Sequence, residues 1–73
     1  MTVFNLRVGE SANITKIALL GSAKKRLNSL GITVGSSVTV LAYSLFNSGV
    51  LISCGAVRVG LRKNLANLIE VKK

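Results

Sequence analysis

Ser22-Ala-Lys-Lys-Arg26-Leu27-Asn-Ser-Leu30-Gly31-Ile32-Thr-Val-Gly35 reads as a short helix that stops abruptly and hands the chain to a strand. Ser22 is a good N-cap residue, because its hydroxyl can accept from a free backbone N–H of the first turn. Ala23, Leu27 and Leu30 fall at i, i+4 and i+7 and so share one helix face. Gly31 offers the positive φ of a C′ position, with Leu30 and Ile32 placed to close an apolar contact around it. Gly35 marks a second tight turn before the alternating run Val38-Thr-Val40. One helix over residues 22–30 therefore plugs something otherwise made of strands.

The flanking sequence supplies those strands. Phe4, Leu6 and Val8 alternate ahead of a turn at Gly9-Glu10. Ser11 to Ala18 is rich in β-branched residues, and its apolar phase changes between Ile14 and Ile17, which fits a bulge. Val38, Val40 and Ala42 face one way along 37–43. Ser44 to Gly49 has the Asn, Ser and Gly content of a hairpin tip, and Val50 to Cys54 returns from it. Gly55 turns the chain again. Val57 to Arg62 alternates most clearly, with Arg58, Gly60 and Arg62 pointing out. Residues 63–67 make a turn of helix, and 68–71 a last strand. About five short strands with tight turns and one helix predict a mainly β fold, a small SH3-like barrel in a single domain over 1–73. A two-layer α+β sheet is the alternative. Closure would remove the edges that make an apolar chain aggregate.

Composition limits the chemistry. The chain has 73 residues, no histidine, one cysteine and two acidic residues, Glu10 and Glu70. No disulfide can form within it, no metal-ligand cluster can be assembled, and no paired carboxylates or nucleophile dyad are available. The reading therefore includes no enzyme activity, no cofactor and no metal site. Cys54, in an apolar strand without a base nearby, reads as a small buried hydrophobe. No glycine-rich turn leads into a Lys-Ser/Thr helix start, so no phosphate loop is present. Neither a signal peptide nor an apolar membrane span is visible, which fits a cytosolic chain.

The net charge is +8, which points toward nucleic acid or an anionic surface. Yet no residue from Leu27 to Val57 is charged. So long a neutral, apolar-rich stretch in so small a domain predicts some exposed apolar surface. Lys24, Lys25 and Arg26 lack glutamate partners at i±4, so the cluster is either a plain solvated face or a surface for an acidic partner. Leu45 and Phe46 at the hairpin tip either enter a partner or fold back over the barrel mouth. Nucleic-acid binding by a small basic barrel is the runner-up function. Phe4, Tyr43 and Phe46 are too few and too scattered for a base-stacking platform.

Over essentially its whole length the chain resembles the FeoA family, small cytosolic components of bacterial ferrous-iron uptake. The resemblance is carried by Leu6-Arg-Val-Gly9-Glu10, by Lys25-Arg26-Leu27 through Leu30-Gly31-Ile32 to Gly35, by Val38-Thr-Val40, by Gly55, and by Leu61-Arg62-Lys63 through Ile69-Glu-Val71. Similar modules end metal-dependent repressors, but a chain of this length has no room for a DNA-binding domain. The resemblance implies an SH3-like barrel that binds FeoB, the membrane permease with a GTPase domain, at the inner membrane face, and regulates or organises it. Partner-binding candidates are Lys24, Lys25, Arg26, Leu45, Phe46 and Arg62, with self-association as a related possibility. Ser22, Gly31, Gly35 and Gly55 are the cap and turn residues. The chain departs from the family at Val34 and around Asn47-Ser48, where proline is common, and at Leu65 and Asn67, where acidic residues are frequent.

Overall fold

Five antiparallel strands carry the fold in a computed structural model that describes residues 1–73. They are β1 (Ser11–Ile17), β2 (Ser37–Tyr43), β3 (Gly49–Cys54), β4 (Val57–Arg62) and β5 (Ile69–Lys72). All lie in one sheet, ordered β4-β3-β2-β1-β5. Helix α1 (Gly21–Ser29) joins β1 to β2, and the short helix α2 (Lys63–Ala66) joins β4 to β5. Around a single core of 15 buried apolar residues there is no buried polar or charged residue. Ile14, Ile32, Val38, Val40, Ile52 and Ile69 are at most 1% exposed, so the alternating strand positions do supply the core. Strands β2 and β3 thus take the core-forming residues Val38, Val40, Val50 and Ile52 from the uncharged middle of the sequence.

Helix α1 closes one side of that core. Leu27 is buried and Ala23 and Leu30 pack against the core beside it. The helix ends in a Schellman motif around Gly31, whose φ is +84°. Ile32 N–H donates to Leu27 O at 2.9 Å and Gly31 N–H to Asn28 O at 3.0 Å, which satisfies carbonyls the helix end would otherwise leave free. Leu27 and Ile32 on either side of the stop are both buried, and Leu30 packs half-buried against the same core. At the other end the cap differs from expectation. Leu20 is the N-cap residue, no side chain caps the helix, and Ser22 lies inside the first turn. Gly21 (φ +65°) turns the chain into the helix two residues earlier than a Ser22 cap allows.

Two bulges set which residues face the core. The register of β1 against β5 shifts between Ile14 and Lys16, as the change of apolar phase predicts. A second shift, between Val40 and Ala42 against β3, turns Ala42 outward and Tyr43 inward, where the sequence pattern places Ala42 inside. Residues 3–8 also depart from expectation. Val3–Asn5 is a turn of 3-10 helix, and Val3 and Leu6, three apart, are the buried residues while Val8 is exposed. Asn5 causes this: its Oδ1 accepts from Thr2 N–H at 2.8 Å, a local bond that competes with an extended strand.

The edge strands β4 and β5 do not pair with each other. Strand β5, one residue later than predicted, is partly covered along its free edge by the N-terminus. Thr2 bridges Glu70, and Val71 N–H donates to Met1 O at 2.8 Å.

Candidate protein-interaction surface

The gap between α1 and β4 is an apolar groove of about 580 Å³. Ala23, Leu27 and Leu30 line it from α1, Val59 and Leu61 from β4, and Leu65 from α2. Arg26 and Arg62 both line it as well. The alternation of β4 sends Val59 and Leu61 toward the groove and core and leaves Arg58, Gly60 and Arg62 exposed. The structure thus brings two of the candidate residues, Arg26 and Arg62, to one site. Lys24 and Lys25 are exposed on α1 but do not line the groove.

Electrostatics at the groove have one sign. The molecule's single ion pair joins Lys73 to Glu10, and Glu70 lies on β5, at the far side of the sheet order. No carboxylate is among the residues lining the groove. Glu10 is held below its ordinary carboxyl pKa first by the bond from Lys73 and then by Arg7 N–H, which donates to it at 2.6 Å.

The second surface is the tip between β2 and β3. Leu45 is 84% and Phe46 98% exposed, so the tip does not fold back over the core. Phe46 and Asn47 hold positive φ values of 62° and 54°, a conformation uncommon for non-glycine residues and costly for an aromatic one. The turn is held by Asn47 N–H donating to Ser44 O at 3.0 Å, by Ser44 N–H donating to Gly49 O at 3.0 Å, and by the Ser44 and Ser48 hydroxyls at 2.9 Å. A Cβ at Gly49 would lie 3.0 Å from Leu61 O, so a larger residue there would push the β4 backbone away.

Sequence reasoning missed the groove and one further exposed apolar residue. The groove is invisible to periodicity, because Val59 and Leu61 have the pattern of ordinary inward residues. Leu20, 84% exposed, also escapes it: next to buried Leu19 it simply looks like more core. Gly35 (φ +93°) and Gly55 (φ +60°) do occupy tight turns. Cys54 is partly buried, its Sγ 3.8 Å from Gly31 O. No three His, Cys, Asp or Glu side chains come together anywhere in the chain.

A small, mainly β module with an open apolar groove and a projecting apolar tip is the class that these features define. The FeoA domain model matches residues 1–73, and the chain belongs to the FeoA family. Solved structures agree. Iron(II) transport protein A from Clostridium thermocellum superposes with a TM-score of 0.90 at 25% identity, over 99% of this chain and 44% of that one. FeoA from Chlorobium tepidum gives 0.91 at 27% identity, over 97% and 68%. Stenotrophomonas maltophilia FeoA, solved with zinc, gives 0.84 at 26% identity over 99% and 89%, and is described as a prokaryotic SH3 domain protein and a candidate ferrous iron transport activating factor. The fold is therefore SH3-like. The chain spans less than half the length of the Clostridium thermocellum protein. No curated protein matches it. The family is associated with ferrous iron transport.

Proposed function

We propose that this chain is a non-catalytic adaptor of ferrous iron transport that binds the FeoB permease at the cytosolic membrane face and regulates or organises it. The observation that carries the reading is the tip: Leu45 and Phe46 stand almost fully in solvent on a turn whose backbone is held in a costly conformation. Strain retained at an exposed apolar pair favours a displayed anchor over a packing residue. The basic surface assists by drawing the chain to acidic protein surfaces or anionic headgroups, an attraction that salt weakens. No helix of the chain is long and apolar enough to cross a membrane, so contact with the permease is made from the surface.

The test is retention of FeoB, full-length and as its GTPase domain, on the immobilised chain at low and high salt, with nucleic acid as competing bait. Retention that falls when Leu45 and Phe46 are replaced by serine supports the reading. Capture of nucleic acid with no retention of FeoB in any nucleotide state overturns it.

A further inference from the structure

The two free edges of the sheet are treated differently. The N-terminal residues cover β5, whereas nothing covers β4: no backbone hydrogen bond outside the strand ladders reaches residues 57–62. Which β4 groups are free follows from the hairpin. Cys54 pairs with Val57 across the two-residue turn Gly55-Ala56, and Gly55 has the positive φ that a type II′ turn requires at its first central position. The closing pair of such a hairpin exchanges hydrogen bonds, and pairs alternate from there. Val59 and Leu61 therefore bond to β3, while Arg58, Gly60 and Arg62 aim N–H and C=O away from it. Gly49, opposite Arg62, confirms the phase, because its carbonyl accepts from Ser44 N–H instead.

Gly60 sits midway along this open edge, and a Cβ built there meets nothing within 4 Å. A glycine in an edge strand is a place where another backbone can come close. We propose that the β4 edge accepts an extended segment of alternating acidic and apolar residues from a protein partner, adding it as a sixth strand. Main-chain bonds to Arg58, Gly60 and Arg62 would hold it, as in strand-addition complexes generally. The period of two then fixes its chemistry. One set of its side chains enters the groove against Val59, Leu61 and the α1 face. The other set lies beside Arg58 and Arg62, which have no acidic partner within the chain; carboxylates there make favourable cross-strand pairs. Arg26 lines the groove from α1. A second copy of this chain suits the edge poorly, since two molecules of charge +8 repel.

The inference rests on the adaptor reading and refines where the partner docks. It is tested with the whole chain and a capped decapeptide alternating glutamate and valine, followed by amide NMR shifts and hydrogen exchange. Two further peptides serve as controls: the lysine–valine analogue, and the glutamate–valine peptide N-methylated at alternate residues. The expected result is shifts centred on Arg58–Arg62, slowed exchange at Gly60, and at least about tenfold weaker binding by each control: the N-methylated peptide through the loss of two hydrogen bonds, the lysine peptide through like charge set beside Arg58 and Arg62. Equal binding by the N-methylated peptide, shifts confined to Leu45–Asn47, or no binding at millimolar peptide overturns the proposal. Because the probe is not FeoB, the two readings fail separately. FeoB retained without protection at Gly60 removes the edge site alone, and a seated peptide without FeoB retention removes the permease as partner.

Discussion

Tyr43 donates its phenolic hydrogen to the backbone carbonyl of Leu6, joining the end of β2 to the N-terminal segment across the sequence. The same hydroxyl lies 3.2 Å from Phe4 O, and the Phe4 and Tyr43 rings meet edge to face at 5.1 Å. Lys63 Nζ lies 5.6 Å from the Phe4 ring on its way into α2. One tyrosine thus anchors a segment that makes no ladder of its own. Tyr43→Phe keeps the ring contact and leaves the carbonyl of Leu6 without its donor. The expected loss is about 1–2 kcal/mol, read as a lower denaturant midpoint with an unchanged slope.

The phenol also sets an alkaline limit. Burial, with a smaller contribution from Glu10, pushes the Tyr43 pKa above its ordinary 10.0. The neutral form is favoured in the folded state, so this contribution is complete below pH 10.0 and is lost as pH rises through the folded value. Titration of the tyrosine absorbance should give a midpoint above that of the unfolded chain, and the Tyr43→Phe chain should lose less stability over the same alkaline range. A midpoint at or below 10.0 would contradict the packing described.

Glu10 works in the opposite direction at acid pH. Its folded pKa is lowered from 4.5, so its contribution is present above that value and disappears as pH falls through the folded one. The pair with Lys73 is on the surface, where salt screens it. Glu10→Gln should flatten the acid limb of the stability profile below pH 4.5 and shrink its salt dependence. An acid limb unchanged by the substitution would place the sensitivity elsewhere.

Gly31 tests the helix stop. A Cβ there meets nothing within 4 Å, so Gly31→Ala costs the left-handed backbone, about 1–2 kcal/mol, offset in part by alanine's smaller freedom in the unfolded chain. For a domain of this size that amounts to roughly 4–8 °C per kcal/mol in Tm. A D-alanine at the same position, which favours positive φ, should restore or raise the melting temperature.

How far the sequence carried depends on whether neighbours in the chain or neighbours in space decide a residue's place. The Schellman stop at Gly31, the β1 bulge and the Gly55 turn were legible because glycine, phase and polar turn residues act within a few positions. Asn5 overrode the alternation of Phe4, Leu6 and Val8 by one bond to Thr2, which periodicity does not weigh. The bulge at Val40–Ala42 has no signal in β2 alone, since it depends on the register β3 adopts. Arg26 and Arg62 were singled out as charges, but their shared groove exists only because α1 and β4 leave a gap that no linear pattern records. The tip was legible as a turn in composition and undecided in direction; the exposure of Leu45 and Phe46 decides it.

Phe46 offers the sharpest separation of stability from function. At φ 62° and 98% exposure it contributes almost nothing to the core, yet holds a backbone conformation that glycine adopts freely. Phe46→Gly therefore removes strain while losing little burial, although glycine also gains freedom in the unfolded chain. The net effect expected is a stability equal to the parent or higher by up to about 1 kcal/mol, measured by denaturant unfolding. Retention of FeoB should fall together with that gain, by tenfold or more, since an exposed aromatic anchor typically carries more than about 1.4 kcal/mol of binding. Phe46→Leu, which keeps an apolar side chain on the same turn, should recover part of the binding at parental stability or slightly below it. If Phe46→Gly instead unfolds the chain, the turn is part of the fold; if it binds FeoB as the parent does, the tip is not the anchor and the groove between α1 and β4 is left to carry the contact.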